Sequence, residues 1–180
     1  MNLFVSFGIF LLSILSCTLV ARTIKSDPHI IRDPLHLYLP HLKYKYLSDI
    51  MVSLQIILLV FTIKYWMLKE FFLICGITQF MRAITMSSTI LPSLEHHNDK
   101  IRFGGINGRG TEYIFSGHAV YACLSFIYLY LLKFNLPILV LYNIISQMTI
   151  ILSRNHYTVD VVLSWIIVPL VYGNVKYYLQ

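Results

Sequence analysis

Long apolar runs separated by short polar segments dominate this sequence. A helix needs about 20 residues to cross the hydrocarbon core of a bilayer, which is about 30 Å thick. Six runs approach that length: residues 1–21, 46–63, 71–89, 113–132, 134–153 and 159–175. The first run lacks the basic start and small-residue cleavage site of a signal peptide, so we interpret it as a span. Because unpaired backbone cannot face lipid, the pattern predicts an all-α membrane domain, a six-helix transmembrane bundle spanning residues 1–180.

The composition excludes a soluble globular domain. Hydrophobic residues make up 57% of the 180-residue chain and charged residues only 12%, against about 45–50% and about 25% in soluble domains. We therefore expect a multi-pass integral membrane protein in contact with the bilayer. The net charge of +6 fits contact with anionic lipid surfaces. Neither a basic stripe nor a fold signature indicates nucleic acid.

Six crossings would sort the polar residues between two sides. We call the side that receives residues 22–45, 89–112 and 153–160 the histidine side. It holds every acidic residue except Glu70, and all seven histidines: His29, His36, His41, His96, His97, His118 and His156. The opposite side receives a turn at residues 64–70, a turn at Lys133 and both termini. The histidine side is thus the end of the bundle that carries chemical groups.

The stretch "SRNHYTVD" (residues 153–160) places His156 four residues before Asp160. On a helix this spacing puts both side chains on one face. A carboxylate behind an imidazole fixes its tautomer and supports the positive charge formed when the other nitrogen reacts. Taken alone, the same pattern also fits a polar helix start at the membrane interface.

A second candidate is "FSGH", where Ser116 is a plausible helix N-cap and Gly117 permits close backbone approach to a ligand. N–H groups at a helix start favour a phosphate oxygen, and His118 would stand beside it as a proton donor. Arg82 lies inside a predicted span, which marks it as functional or as a snorkelling residue. Arg154 and Arg109 are further anion-binding candidates, or an interfacial anchor and a loop charge.

Four motifs resemble those of the sphingomyelin synthase family, a branch of the type 2 phosphatidic acid phosphatase superfamily. "TEYIFSGHAV" and "NHYTVDVV" are similar to that family's third and fourth motifs, "MRAITMSSTILP" to its second, and "RDPLH" faintly to its first. The third motif of the family begins Cys-Gly-Asp, where this chain has Gly110-Thr111-Glu112. The resemblance therefore leaves the head group and the acceptor open.

The resemblance implies a lipid phosphotransferase. His156 would attack the phosphorus of a phospholipid, Asp160 would hold His156 in the competent tautomer, and His118 would protonate the departing diacylglycerol. A phosphocholine, phosphoethanolamine or phosphoinositol group would then pass to ceramide or another lipid alcohol, with no metal or other cofactor. Substrate-binding residues would be Arg82, Ser116, Gly117, Arg154 and Tyr157. In a eukaryote the protein would lie in the Golgi, endoplasmic reticulum or plasma membrane.

Other functions stay open on sequence alone. They are a lipid phosphate phosphatase, a phosphatidylcholine:diacylglycerol cholinephosphotransferase, a non-catalytic lipid-binding bundle and, less favoured, a bis-histidine cofactor protein. Ten of the 14 Lys and Arg residues fall on the histidine side, which the positive-inside rule would place in the cytosol. The family resemblance implies the exoplasmic or lumenal side instead. The oligomeric state is not predicted.

Overall fold

A computed structural model describes residues 2–23, 32–89 and 114–179. This part of the chain is helical and contains no strand. Its helices are α1 (Leu3–Thr23), α2 (Pro34–Tyr38), α3 (Tyr46–Thr62), α4 (Tyr65–Ser88), α5 (Gly117–Leu131), α6 (Leu136–Leu152) and α7 (Thr158–Leu179). The all-α prediction is confirmed. His29, His96, His97, Arg109 and residues 110–112 of the third motif lie outside the described residues.

Within the described residues, three helices are long and apolar enough to cross a membrane: Leu3–Ala21, Tyr65–Ser88 and Thr158–Leu179. The helices α3, α5 and α6 are also apolar but have only 17, 15 and 17 residues. At 1.5 Å per residue they extend about 22–26 Å. Length and composition therefore support three spans directly.

Local capping explains where several helices begin. Ser116 accepts a hydrogen bond from the Ala119 N–H at the start of α5. Asn135 accepts one from the Ile138 N–H before α6. These short polar side chains satisfy backbone donors that a first helical turn leaves unpaired. The cap at Ser116 explains why α5 begins at Gly117 and not at residue 113, as the apolar run had suggested.

The predicted turn at residues 64–70 is wrong. The chain turns at Ile63 and Lys64, and α4 begins at Tyr65, so Glu70 lies in the second turn of that helix. Its carboxylate forms an ion pair with Lys176 of α7, with Nζ 2.8 Å from Oε1. Lys176 also lies beyond the predicted end of the last span, because α7 continues to Leu179. Because the two charges neutralise each other between α4 and α7, each residue can lie inside its helix.

Helix α5 forms the centre of the bundle and contacts α3, α4, α6 and α7. Several of its small and apolar side chains, including Ala119, Ala122 and Cys123, are fully buried. A buried amide adds a polar link, because Gln55 of α3 donates to the Ala122 carbonyl at 3.1 Å. The start of α5, which carries the FSGH motif, is therefore fixed by its neighbours.

Helix α1 is attached differently, because it packs chiefly along α4. Hydroxyl groups along α1 donate to carbonyls of their own helix: Ser13 to Phe10 at 2.7 Å, and Thr18 to Ile14 at 2.8 Å. The contact with α4 is close at Gly76, where an added Cβ would lie 2.8 Å from Ile9 Cγ2 and 3.1 Å from the Phe10 nitrogen. A glycine at position 76 thus lets the two helices meet.

We predict that Gly76→Ala lowers stability, since its methyl group must push α1 away from α4. Overpacking of this kind costs about 1–3 kcal/mol. Gly173→Ala is the matched control, because a Cβ at Gly173 meets nothing within 4 Å. Both changes gain the same helix propensity, about 1 kcal/mol. Thermal unfolding in detergent should show a lower midpoint for Gly76→Ala than for Gly173→Ala, and equal midpoints would contradict the close packing.

Candidate functional site

Five chain segments meet at one end of the bundle. They are the end of α4, the starts of α3, α5 and α7, and the connection between α6 and α7, residues 153–157. The short helix α2 packs against α6 beside them. Of the described histidines of the predicted histidine side, His118 and His156 belong to these segments, His36 lies in α2 and His41 in the loop after it. The candidate site lies where the three helix starts converge.

His156 and Asp160 are adjacent and buried. His156 Nδ1 lies 3.6 Å from Asp160 Oδ2, with side-chain exposures of 8% and 0%. The Tyr157 N–H donates to the same carboxylate oxygen at 3.0 Å. The distance between the imidazole and the carboxylate is that of a close electrostatic contact, slightly longer than a hydrogen bond. Burial excludes water from the pair and strengthens the attraction that a positive charge on His156 would feel.

The backbone of Asp160 ties the starts of α5 and α7 together. Its carbonyl accepts from the Ser116 N–H at 3.2 Å and from the Ser164 hydroxyl at 2.8 Å. The same Ser164 hydroxyl lies 3.1 Å from the Ser116 carbonyl. The FSGH and NHYTVD motifs, about 40 residues apart in sequence, are thereby joined directly.

His118 faces His156 across this junction. Their ring centroids are 5.9 Å apart and the rings are tilted by 62°. His118 Nε2 also lies 2.6 Å from Asp49 Oδ1 of α3, a short charge-assisted contact. His118 and Asp49 are partly exposed, at 29% and 37%. Among the described residues, the junction of α5 and α7 therefore holds two imidazole–carboxylate pairs, one buried and one partly exposed.

Arg82 reaches the start of α5 from α4. Its Nε donates to the Phe115 carbonyl at 2.9 Å. A Cβ added at Gly117 would lie 3.6 Å from Arg82 Cζ, an ordinary van der Waals distance. Local space therefore does not by itself require glycine at position 117. A guanidinium group beside the first N–H groups of a helix gives this point a positive potential suited to an anion.

Arg154 and Tyr157 both contact α2. Arg154 has a left-handed backbone, with φ of 52°, and its Nη2 donates to the His36 carbonyl at 3.2 Å. The buried Tyr157 ring stacks on the His36 ring, with centroids 6.2 Å apart. Both residues hold α2 against residues 153–157. Their predicted contact with substrate stays a prediction.

Asp49 and Asp33 are two further residues of this region whose roles no sequence motif indicated. Asp33 is the N-cap of α2 and accepts from the Leu35 N–H at 3.0 Å. It also accepts from the Thr158 hydroxyl at 2.8 Å and from the Thr158 N–H. It thus caps α2 and holds the first residue of α7. The available signals were an Asp-Pro pair typical of a helix start, and an acid inside an apolar run at Asp49.

Two groups beside α2 have altered pKa values. Burial raises the pKa of Asp33, but the two hydrogen bonds from Thr158 and the nearby His36 outweigh it, so the pKa is lowered. Burial lowers the pKa of His36, the charge of Asp33 opposes this shift, and the charge of Arg154 adds to it. Folding therefore favours an ionised Asp33 and a neutral His36.

Residues 111–178 match the family model described as PAP2 superfamily C-terminal. The matched segment is less than half of the chain and contains Ser116, His118, His156 and Asp160. The match supports the type 2 phosphatidic acid phosphatase superfamily, whose members are phosphoryl-transfer enzymes, mostly phosphatases. No curated protein matches the chain. Within the described ranges, no group of three or more His, Cys, Asp or Glu side chains forms a candidate metal site.

We predict that Asp33→Ala lowers the free energy of unfolding by about 1–3 kcal/mol, through loss of a helix cap and of charged hydrogen bonds. Because folding lowers the pKa of Asp33, its carboxylate stabilises the fold above about pH 4. That stabilisation is lost as the pH falls through the lowered folded value. Unfolding midpoints measured from pH 7 down to about pH 3 should therefore converge for wild type and variant.

The control for this prediction is Asp33→Asn, which keeps a capping oxygen and removes only the charge. It should lose less stability than Asp33→Ala at neutral pH. A difference between wild type and Asp33→Ala that is the same at every pH would contradict the assigned role of the carboxylate.

Proposed function

We propose that this protein is an integral-membrane lipid phosphotransferase that works through a phosphohistidine intermediate. The observation that carries the proposal is the pair of facing imidazoles, 5.9 Å apart, with a buried carboxylate behind His156. Covalent phosphoryl transfer needs a nucleophile with an orienting base and a separate proton donor. The site offers one imidazole for each task. The match to a superfamily of lipid-directed phosphoryl-transfer enzymes supports the same chemistry.

In this proposal all six long helices cross the bilayer. The three shorter ones, α3, α5 and α6, are flanked by residues that extend their apolar length, such as Ile63 and Phe134. Helix α5 lies in the centre, where protein covers it, so it needs little direct contact with lipid. The histidine side then lies at one membrane surface, where a lipid head group meets water.

The first half-reaction transfers the head group to the enzyme. His156 Nε2 attacks the phosphorus of a phospholipid diester, and the P–O bond to diacylglycerol breaks as the P–N bond forms. The proton on His118 passes to the departing diacylglycerol oxygen. Asp160 stabilises the positive charge that His156 gains, because no water competes for its buried carboxylate.

The second half-reaction releases the head group to an acceptor. The neutral His118 takes the proton of an acceptor hydroxyl, such as the primary alcohol of ceramide. The new P–O bond forms as the P–N bond breaks, and His156 returns to its starting state. A positioned proton donor and acceptor typically contributes about 10²–10⁴-fold to such a reaction.

Arg82 and the start of α5 would stabilise charge on the phosphoryl oxygens. The guanidinium group lies against Gly117. The unpaired N–H groups of the first turn of α5 lie beside it, as at any helix N-terminus, and favour an anion. Preorganised donors of this kind stabilise developing charge without reorganisation. Ser116 serves by holding the helix start through its cap.

A groove between α4 and α7 suits an acyl chain of the lipid donor. It has a volume of about 510 Å³, and apolar side chains such as Leu73, Ile77, Met81 and Val171 line it. Met81 is next to Arg82 in α4, so the groove begins near the proposed phosphate position. A phospholipid with its phosphate at Arg82 would therefore find an apolar path for one chain.

We predict that His156→Ala and His118→Ala each lower transfer at least about 10³-fold, since each removes a partner in the covalent reaction. The measurement uses protein in nanodiscs, a phospholipid labelled in its head group, and a lipid acceptor. Acid-labile label on the protein should be trapped with wild type and lost with His156→Ala. His41→Ala is the control, because this exposed histidine lies in the loop after α2 and belongs to neither the FSGH nor the NHYTVD motif. Transfer that survives both site changes would refute the assignment.

The product distinguishes transfer from hydrolysis, which is the main activity in the matched superfamily. We expect a phospholipid diester plus ceramide or diacylglycerol to give a new phospholipid or sphingophospholipid. Phosphatidic acid should give little free phosphate, because the described site presents one arginine near the start of α5 and a dianionic monoester demands more positive charge. Thin-layer or mass-spectrometric product analysis decides, and rapid release of phosphate would assign a lipid phosphatase instead.

A further inference from the structure

We propose that Asp49 is a positioning residue that selects the working nitrogen of His118. The inference rests on the proposed function, because it specifies how the proton donor of that reaction is held. Asp49 Oδ1 lies 2.6 Å from His118 Nε2. A neutral His118 then keeps its hydrogen on Nε2, donated to the carboxylate, and Nδ1 is left to exchange protons with substrate.

The two imidazoles are thereby used in opposite ways. His156 turns Nδ1 towards Asp160, so its Nε2 is the atom for attack on phosphorus. His118 turns Nε2 towards Asp49, so its Nδ1 is the atom that gives and takes a proton. Each carboxylate fixes one ring by holding the nitrogen that does not react, as second partners commonly do for functional histidines.

The difference in burial fits this division of work. The His156–Asp160 pair is buried, at 8% and 0% exposure, which limits the access of water to a phosphorylated nitrogen. The His118–Asp49 pair is open, at 29% and 37%, which lets an acceptor hydroxyl approach. In the first half-reaction Nδ1–H protonates the leaving diacylglycerol oxygen, and in the second Nδ1 takes the proton of the acceptor. The Nε2–H bond to Asp49 stays intact throughout.

Asp49 is itself held in place by the segment that carries His156. Asn155 donates to the Lys45 carbonyl at 3.1 Å and also to the Ser48 hydroxyl. The Leu42 N–H donates to the Leu152 carbonyl at 2.8 Å. These bonds fasten residues 42–48, which lead into α3 and form its first turn, to residues 152–155. The distance between the two imidazole–carboxylate pairs is therefore set by backbone and side-chain hydrogen bonds near α3.

The competing explanation is that the His118–Asp49 ion pair only stabilises the contact between α3 and α5. Other packing between these two helices makes that role unnecessary. Helices α3 and α5 already meet through Val52, Ala119 and Ala122, and through the Gln55 bond to the Ala122 carbonyl. Asp49→Asn preserves the side-chain volume and removes only the charge and one acceptor. The fold should therefore survive that change.

The test compares wild type, Asp49→Asn and Asp49→Glu in nanodiscs. An asparagine can donate to His118 Nε2 and so favour the wrong tautomer. The same change beside the catalytic histidine of a serine protease lowers kcat about 10⁴-fold. Asp49 is more exposed than that residue, so we expect kcat to fall at least about 10²-fold, with KM changed less than about 3-fold. Asp49→Glu should recover at least about one tenth of wild-type kcat, because it restores a carboxylate acceptor. Glu70→Gln is the matched control, a carboxylate removed at the opposite end of the bundle, and should keep wild-type kcat.

A second readout does not depend on activity. Nitrogen NMR of ¹⁵N-labelled histidine, assigned with a His118→Gln sample, should show the Nε2–H tautomer for neutral His118 in wild type and a shift towards Nδ1–H in Asp49→Asn. An Nδ1–H tautomer in wild type overturns the inference, even if a variant fails to fold. So does a folded Asp49→Asn with wild-type kcat. If wild type transfers no head group at all, the proposed function fails, and the tautomer still decides the role of Asp49.

Discussion

A carboxylate with no exposed surface lies at the junction of α5 and α7, and the positions of both imidazoles depend on how it is held. Asp160 receives the Tyr157 N–H on its side chain and the Ser116 N–H on its carbonyl. The first bond fixes the residue next to His156, and the second fixes the residue that caps the helix of His118. Burying a carboxylate is costly unless its charge is compensated. A neighbouring imidazole that can become positive provides that compensation.

The surrounding polar residues support this junction from outside. Asp33 holds Thr158, Arg154 holds the His36 carbonyl, and Asn155 holds the start of α3. Each joins a segment N-terminal to α4 with the connection between α6 and α7 or with the first residue of α7. The site is thus built from hydrogen bonds between distant parts of the chain, while the apolar remainder of each helix supplies its orientation.

The lengths of the apolar runs predicted helix boundaries well where no charged side chain paired with another helix near a helix end. Residues 46–63 correspond to α3, Tyr46–Thr62, and residues 134–153 to α6, Leu136–Leu152. The start of α4 was missed because Lys69 and Glu70 look like turn residues in sequence, whereas Glu70 pairs with Lys176. The five-residue α2 was also missed. Its Asp-Pro start is visible in sequence, but it is too short to show any hydrophobic period.

Some contacts of the candidate site could likewise be predicted from local sequence spacing, and others could not. The proximity of His156 and Asp160 follows from their spacing of four residues, which any helix start brings together. The contact between Asp49 and His118 joins residues 69 positions apart, and no local pattern contains that information. Arg154 and Tyr157 show the opposite problem, since their chemistry suits a phosphate but their side chains are engaged with α2. Local spacing reveals pairs, whereas the tertiary fold decides which groups face each other.

The hydroxyl groups of α1 have a consequence for biogenesis. Ser13, Ser16 and Thr18 each donate to a carbonyl three or four residues earlier in the same helix. None of these three hydroxyls therefore needs a hydrogen-bond partner from another helix before α1 enters lipid. For these three hydroxyls, such a helix can enter the bilayer before α4 packs against it. When α4 follows, the missing side chain at Gly76 lets α1 pack closely against it.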